Sequence, residues 1–341
     1  MEKQLAQFIQ SATKILITSH TAPDPDAVCS ALLLGLTLAK NFPDKSVFIN
    51  LEEKPSRSLG FLPGYESVKF GSLLQQVQEF SPDLLVIVDA NRYDRCTRLD
   101  GNALNKYVSE HKSTLKTVII DHHEPDDKDS ADLYINQGSP AATQDVHELC
   151  FNQLDLEKPD GYEVITMLGI ISDSSRFKYA NPRHRETFKI VSELLDAGAS
   201  IEQLENELNQ YTENQMRVLA ELANHLTFEG DYSYTFISDD FARGWQEQGR
   251  AVEDFKVGCE IFTNDFIRNI DNRSWGFVVY QDLSAGQPIY GVSLRSVRAT
   301  PNVAGLALKL GGGGHKAAAG AKIKADSVAM AIDLVKKAIT G

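Results

Sequence analysis

A chain of 341 residues is long enough for two domains of ordinary size, each with its own buried core. Its net charge of −13, from 34 basic and 47 acidic residues, argues against sequence-independent tracking of long duplex nucleic acid, which needs many phosphate-neutralising cations; a short phosphate ester is not excluded. Cys29, Cys96, Cys150 and Cys259 are scattered without a Cys-x-x-Cys pair, so neither a disulfide framework nor a structural zinc site is indicated, and a reduced, cytoplasmic protein is expected.

The first residues, Met1 to Gln7, carry an acid and polar side chains where a signal peptide needs an apolar core, so no leader is expected. The longest apolar run, near Ala31 to Ala39, is too short to span a bilayer. After an opening helix, Lys14-Ile-Leu-Ile-Thr-Ser19 reads as a buried strand. It runs into His20-Thr-Ala-Pro-Asp24-Pro-Asp26 and then a long apolar helix from about Ala27 to Ala39. Pro23 and Pro25 each restrict their own φ and the residue before them. The loop is therefore expected to be extended, with Asp24 and Asp26 pointing in opposed directions. An Asp-Pro-Asp helix cap is the plainer reading of the same residues, but it leaves His20 unexplained.

A strand near Ser46–Leu51 and a helix near Leu73–Phe80 follow. Pro82-Asp-Leu-Leu-Val-Ile-Val-Asp89 is a second buried strand ending in an acid. Lys116-Thr-Val-Ile-Ile120 is a third, and it delivers Asp121, His122 and His123 at its carboxyl end. In open parallel sheets that edge is where ligands sit. The acidic stretch Glu124–Asp132 reads as a solvated loop and Ala141–Phe151 as a helix. Val164–Asp173 is apolar and ends in a further acid; its periodicity fits helix or strand, and its end is grouped with the strand ends. Thr187–Ala197 is an amphipathic helix with Gly198 as its C′ residue. Ser200-Ile-Glu-Gln203 is a capping-box pattern that opens a helical stretch, or helix pair, running to about Leu226.

The remainder alternates strands near Tyr232–Ile237, Trp275–Gln281 and Ile289–Arg295 with helices near Val252–Phe262, Pro301–Leu310 and Ser327–Ile339. Thr300-Pro301 reads as a cap followed by proline at the first helical position. The run Gly311-Gly-Gly-Gly-His315-Lys-Ala-Ala-Ala-Gly320 reads as a glycine loop between two of these elements.

His20, Asp24, Asp26, Asp89, Asp121, His122, His123 and Asp173 make a mixed carboxylate–imidazole set. Such donors favour Mn²⁺, with Mg²⁺, Fe²⁺ or Co²⁺ as alternatives. So many ligands hold two ions more naturally than one, and two ions can clamp the attacking and leaving oxygens of a phosphoryl transfer. Without cations, acids crowded together in this way would cost several kcal/mol.

In this order, His20-Thr-Ala-Pro-Asp24-Pro-Asp26-Ala, Val88-Asp89, Asp121-His122-His123 and Ile171-Ser-Asp173 resemble the four motifs of the DHH phosphoesterases, which include RecJ exonuclease and the manganese-dependent inorganic pyrophosphatases. Ser293-Leu-Arg295-Ser296 and Gly311–Gly320 resemble the DHHA1 domain of the nanoRNase branch. The resemblance implies an α/β protein. An N-terminal DHH catalytic domain (1–198), with a mainly parallel sheet flanked by helices, would be followed by a helical linker (199–228) and a smaller α/β DHHA1 domain (229–341), the active site lying in the cleft between the domains. It also implies roles. His20, Asp24 and Asp89 would hold one metal; Asp26, Asp89, His122 and Asp173 would hold the other, with Asp89 bridging. Asp121 would orient a neighbouring ligand, and His123 would contact the scissile phosphate or assist the leaving group. Arg295, Ser296, Gly312, Gly313, Gly314 and His315 would bind substrate, the glycines through a backbone-amide cradle. The chain departs from the family pattern at Cys29, usually glycine; at Ser174-Ser175, usually Thr-Gly; and at Ala142-Thr143-Gln-Asp145, a loose version of Ser-Thr-x-Glu.

The implied substrate is a short oligoribonucleotide cleaved to 5′-mononucleotides, with adenosine 3′,5′-bisphosphate as a second substrate. Hydrolysis of cyclic or linear dinucleotide messengers is the alternative at the same site. A pyrophosphatase is disfavoured, because the glycine–histidine run stands where that branch carries Ser-Arg-Lys. A regulator that binds nucleotide without cleaving it is disfavoured by the intact acid set. No membrane partner is expected, and a homodimer is neither required nor excluded.

Overall fold

A computed structural model describes residues 1–340 except 56–57, 99–100, 124–130, 179, 181–183, 209 and 298. The chain divides into two compact units, Met1–Asn209 and Gln210–Gly341.

In the first unit the elements run α1 (Glu2–Ser11), β1 (Lys14–Thr18), α2 (Pro25–Asn41), β2 (Ser46–Leu51), β3 (Val68–Phe70), α3 (Leu73–Phe80), β4 (Leu84–Val88), α4 (Gly101–Glu110), β5 (Lys116–Ile120), β6 (Leu133–Ile135), α5 (Ala142–His147), α6 (Tyr162–Asp173), α7 (Arg185–Asp196) and α8 (Ile201–Leu208). The six strands form one sheet in the order β3-β2-β1-β4-β5-β6. Every pairing is parallel. Apolar side chains fill both faces, as a doubly covered parallel sheet requires. Ile15, Ile17, Leu84, Val86, Val88, Val118 and Ile120 pack with α2 and α6 on one face. Leu16, Leu85, Ile87 and Ile119 pack with α3 and α4 on the other.

Two carboxylates pin the strands at the end away from the site. Asp83 accepts from Thr13 N–H (2.9 Å), Thr13 Oγ1 (2.6 Å) and Lys14 N–H (3.0 Å), tying the start of β4 to the start of β1. Asp132 accepts from Thr117 N–H (2.9 Å) and Lys116 Nζ (3.2 Å), tying β6 to β5.

The second unit contains α9 (Glu213–Asn224), β7 (Thr227–Glu229), β8 (Tyr232–Phe236), α10 (Asp239–Glu247), α11 (Val252–Asp265), β9 (Trp275–Gln281), β10 (Ile289–Ser296), α12 (Val303–Lys309), β11 (Gly313–His315), β12 (Ala318–Lys324) and α13 (Val328–Thr340). Its sheet runs β11-β12-β10-β9-β8-β7 and is mixed, with β8 and β9 parallel and the other pairs antiparallel. Helices α12 and α13 cover one face, and α9, α10 and α11 the other.

Several expectations change. The apolar segment ending at Asp173 is helix α6, buried nearly all round from Ile165 to Ile171, so Asp173 ends a helix rather than a strand. Asp24 and Asp26 do not lie in one extended loop: Asp24 caps α2, accepting from Ala27 N–H at 3.0 Å, and Asp26 already sits in the first turn. Of the two readings of the stretch from Ser200, the helix pair is the one present, and the division between units falls between its helices. Helix α12 begins at Val303 and is capped by Asn302, not by Thr300. The glycine run is not a loop; it closes α12 and then forms edge strand β11. Of the acidic loop, residues 124–130 lie outside the described residues. The three-residue strands β3, β6, β7 and β11 are too short to show a period in sequence. Among the described residues no helix is long and apolar enough to cross a membrane, and the four cysteines are buried and form no disulfide.

Candidate metal centre

The strand order reverses between β1 and β4, and at that crevice an open sheet binds ligands. His20 follows β1, Asp89 follows β4, and Asp121, His122 and His123 follow β5; α2 supplies Asp24 and Asp26, and α6 supplies Asp173. All eight come together. Three groups of them have donor atoms within 4.8 Å of one another: His20, Asp24 and Asp89; Asp26, His122 and Asp173; and Asp89, Asp121, His122 and His123.

Asp89 is the shared member. Its Oδ2 lies 3.4 Å from His20 Nε2, and its Oδ1 lies 3.4 Å from His122 Nε2 and 3.6 Å from His123 Nδ1. The residue is 2% exposed, yet Oδ1 is left without a hydrogen bond of good geometry. Its backbone is left-handed at φ 54° and is held there by its N–H, which donates to Ile120 O at 2.9 Å. Such strain in a non-glycine residue persists where the surroundings over-determine it.

Several of these side chains are oriented by neighbours. His20 Nδ1 lies 2.7 Å from Thr21 O, so the donating tautomer leaves Nε2 with its lone pair facing Asp89. Asp26 is fully buried among amides: Oδ2 accepts from Ala142 N–H (2.7 Å), and Oδ1 from Thr143 N–H (3.0 Å) and Thr143 Oγ1 (2.5 Å). Asp121 is buried; it accepts from His123 Nδ1 at 2.8 Å and from Tyr134 OH at 3.3 Å. Asn136 Nδ2 donates to His123 O at 2.6 Å.

Burial alone would raise the Asp89 carboxyl, but the neighbouring His122 and His20 imidazoles hold it well below the usual range. Burial would lower His122, and Asp89, Asp26 and Asp173 instead push it up to about 10. Desolvation pushes Asp173 up to about 6, opposed by His122 and reinforced by Asp24 and Asp89. Asp26 is raised by burial and then by Asp89 and Asp173. The donors fit divalent cations on two observations: the orphaned oxygen of Asp89, and a set that is oxygen and imidazole without thiolate.

The proposed substrate residues all belong to the second unit. Arg295 lies near the end of β10; its Nε donates to Asn264 Oδ1 at 2.9 Å. Ser296 does not share that face: it is 1% exposed, and its hydroxyl donates to Lys316 O at 3.4 Å. A full glycine cradle is not built either. The N–H groups of Gly311 and Gly312 donate to Leu308 O and Ala307 O, so Gly312 ends the helix, while Gly313, Gly314 and His315 form the exposed edge.

Tyr134, Asn136 and Thr143 were not singled out from sequence as site residues. The first two ride on the short strand β6 and its exit, which carry no periodic signal. Thr143 falls in the segment that loosely follows Ser-Thr-x-Glu, which was the available clue. Where the family pattern has glycine after Asp-Thr, Ser175 stands in the left-handed region at φ 49°.

Residues 14–170 match the DHH family N-terminal domain and residues 259–341 the DHHA1 domain. The bifunctional oligoribonuclease and PAP phosphatase NrnA of Mycoplasma pneumoniae is 30% identical over 322 residues, covering 93% of this chain and 89% of that one. The protein of the same name from Bacillus subtilis is 24% identical, covering 95% and 93%. In fold, the chain is similar to an exopolyphosphatase-related protein from Bacteroides fragilis, with a TM-score of 0.81 at 21% identity, covering 99% of this chain and 95% of that one. An open parallel sheet with acids and histidines at its switch point, joined to a mixed-sheet second unit, defines a two-domain phosphoesterase. The chain belongs to the DHH/DHHA1 family, in its nanoRNase branch.

Proposed function

We propose that this chain hydrolyses short oligoribonucleotides to 5′-mononucleotides and removes a phosphate from adenosine 3′,5′-bisphosphate, in the cytoplasm, with two divalent cations of which Mn²⁺ is the first choice. The observation that carries the reading is Asp89, whose carboxylate faces His20 on one side and His122 on the other, so that one residue joins two donor sets. The names of the Mycoplasma pneumoniae and Bacillus subtilis relatives support the substrate class. When bound, the cations would supply Lewis acidity to the attacking and leaving oxygens. The protein's own part is positional. His20, Asp24 and Asp89 would hold one cation, and Asp26, Asp89, His122 and Asp173 the other. Asp121 holds His123 through Nδ1, which leaves Nε2 to contact the phosphate or to carry the proton of the leaving oxygen.

The test is a product assay on diribonucleotide, cyclic dinucleotide, adenosine 3′,5′-bisphosphate and pyrophosphate side by side, with EDTA-stripped protein and with Mn²⁺ restored. Mononucleotides from the linear dinucleotide, formed only with metal, are expected. Turnover of the cyclic substrate alone would transfer the assignment to messenger hydrolysis, and full activity in EDTA would refute the metal centre.

A further inference from the structure

Glu53 follows β2 and, among the described residues, belongs to none of the three donor groups, yet it reaches the loop that carries His20 and Asp24. Its neighbour Glu52 accepts from Leu73 N–H at 2.7 Å and so engages the start of α3. Glu53 turns to the other side. Its Oε2 accepts from Ala22 N–H at 3.1 Å, and its Oε1 pairs with Arg98 Nε, so each carboxylate oxygen has a partner of its own.

Ala22 N–H and Thr21 C=O belong to one planar peptide unit and point to opposite sides of it. The amide side faces Glu53, and the carbonyl side accepts from His20 Nδ1 at 2.7 Å. The orientation of this one peptide therefore decides whether the His20 ring keeps its Nδ1 partner, and with it the direction of Nε2 toward Asp89. That orientation is not the relaxed one. Ala22 stands at φ 51°, whereas a residue before proline favours extended backbone. A half-turn of the Thr21–Ala22 peptide would return Ala22 to negative φ and carry the carbonyl away from His20. Thr21 N–H donates to Arg95 O at 2.7 Å, but it belongs to the preceding peptide and does not oppose that rotation. The bond from Ala22 to Glu53 does.

We infer that Glu53 is a positioning residue for the cation site of His20, Asp24 and Asp89: it holds the Thr21–Ala22 peptide in the strained orientation that presents Thr21 O to His20. Arg98 keeps the Glu53 carboxylate in place; as an exposed pair it adds little stability of its own. The inference rests on the reading of this centre as a two-cation site, and names what sets the aim of one ligand in it.

The experiment is calorimetric titration of the EDTA-stripped, full-length chain with Mn²⁺, with circular dichroism to show that each variant is folded. The wild type should show two binding events. Glu53→Ala should weaken one of them about 10-fold, the effect of removing a group that orients a ligand, and leave the other within about 2-fold of wild type. Glu53→Gln keeps an acceptor at the same reach and should retain most of the affinity, and Arg98→Gln should fall between the two. Ala22→Gly separates aim from general loosening: glycine takes the left-handed conformation without strain, so in the Glu53→Ala background it should restore part of the lost affinity. Thr143→Val, beside Asp26, should weaken the event that Glu53→Ala spares. Equal weakening of both events by Glu53→Ala, no weakening of either, or no recovery with Ala22→Gly overturns the inference while the two-cation reading stands. Absence of Mn²⁺ binding in the wild type would instead refute that reading, and the inference with it.

Discussion

Thr143→Val tests whether Asp26 is a positioned ligand or merely a buried acid. The substitution keeps the branched shape of a residue that is fully buried and removes the hydroxyl that donates to Asp26 Oδ1 at 2.5 Å. The two amide donors, from Ala142 and Thr143, remain. A hydrogen bond to a charged, desolvated carboxylate is worth about 1.5–3 kcal/mol. If that energy fixes the carboxylate toward a cation, its loss should weaken Mn²⁺ binding about 10- to 100-fold, the usual effect of removing a group that orients a ligand. Calorimetric titration of EDTA-stripped protein measures this directly, and Thr143→Ser should restore it. Gly169→Ala reaches the same contact from the other side. Its Cβ would stand 2.2 Å from Thr143 Oγ1 and 2.5 Å from Thr143 Cβ, so Thr143 must move. Mn²⁺ affinity within about 2-fold of wild type in both variants, with both folded, would refute the reasoning.

Asp89→Asn keeps the size of the residue and tolerates its positive φ while removing a charge that both donor sets share; it should abolish turnover and both Mn²⁺ binding events with circular dichroism unchanged. His123→Ala should lower kcat by roughly 10²–10⁴ with KM little altered, as expected for a group acting on the reacting phosphate rather than on binding; steady-state kinetics on a diribonucleotide decides. His147 is 1% exposed, and burial, followed by the charge of Lys158, depresses its pKa from 6.5 to about 4, a depression worth roughly 3 kcal/mol. The fold keeps this imidazole neutral, so its contribution is intact above pH 6.5 and is lost as pH falls towards about 4. Urea unfolding of wild type and His147→Gln at pH 7 and pH 4.5 should show the wild type losing stability relative to the variant on acidification; a constant difference would disprove it.

Most of the first unit was legible because parallel strands covered on both faces are written as unbroken apolar runs. Lys14–Thr18, Leu84–Val88 and Lys116–Ile120 announce themselves in that way, and each is followed by the acids and histidines of the edge. The same feature hid the state of Val164–Asp173, since a helix buried on nearly every side carries no polar stripe to reveal its period. Asp24 and Asp26 reach different donor groups, as the opposed directions implied, but through the step from N-cap to first turn and not through an extended loop. What the second unit does with its glycines was not legible, because glycine permits a turn, an edge strand and a phosphate cradle alike. Gly311 and Gly312 are committed to closing α12, and only register to β12 shows which of the rest lie open.

The donor groups depend on strand register as much as on identity. Asp89 and His122 leave adjacent strands whose pairing sets Val88 against Ile120, and Asp89 N–H donates to the carbonyl of that same Ile120. A slip of one residue in either strand would turn that strand's side chain to the opposite face and unmake every group that contains it. That pairing is continued at the far end of the sheet by Lys116 N–H, which donates to Asp83 O at 2.9 Å; there the Asp83 carboxylate ties β4 to β1 and the Asp132 carboxylate ties β6 to β5. Both carboxylates are buried enough for desolvation to oppose their charge, yet their hydrogen bonds hold them below the usual carboxylate range. The strained end of β4 and the end of β5 that carries His122 thus lie opposite an edge where buried carboxylates are satisfied by hydrogen bonds between strands.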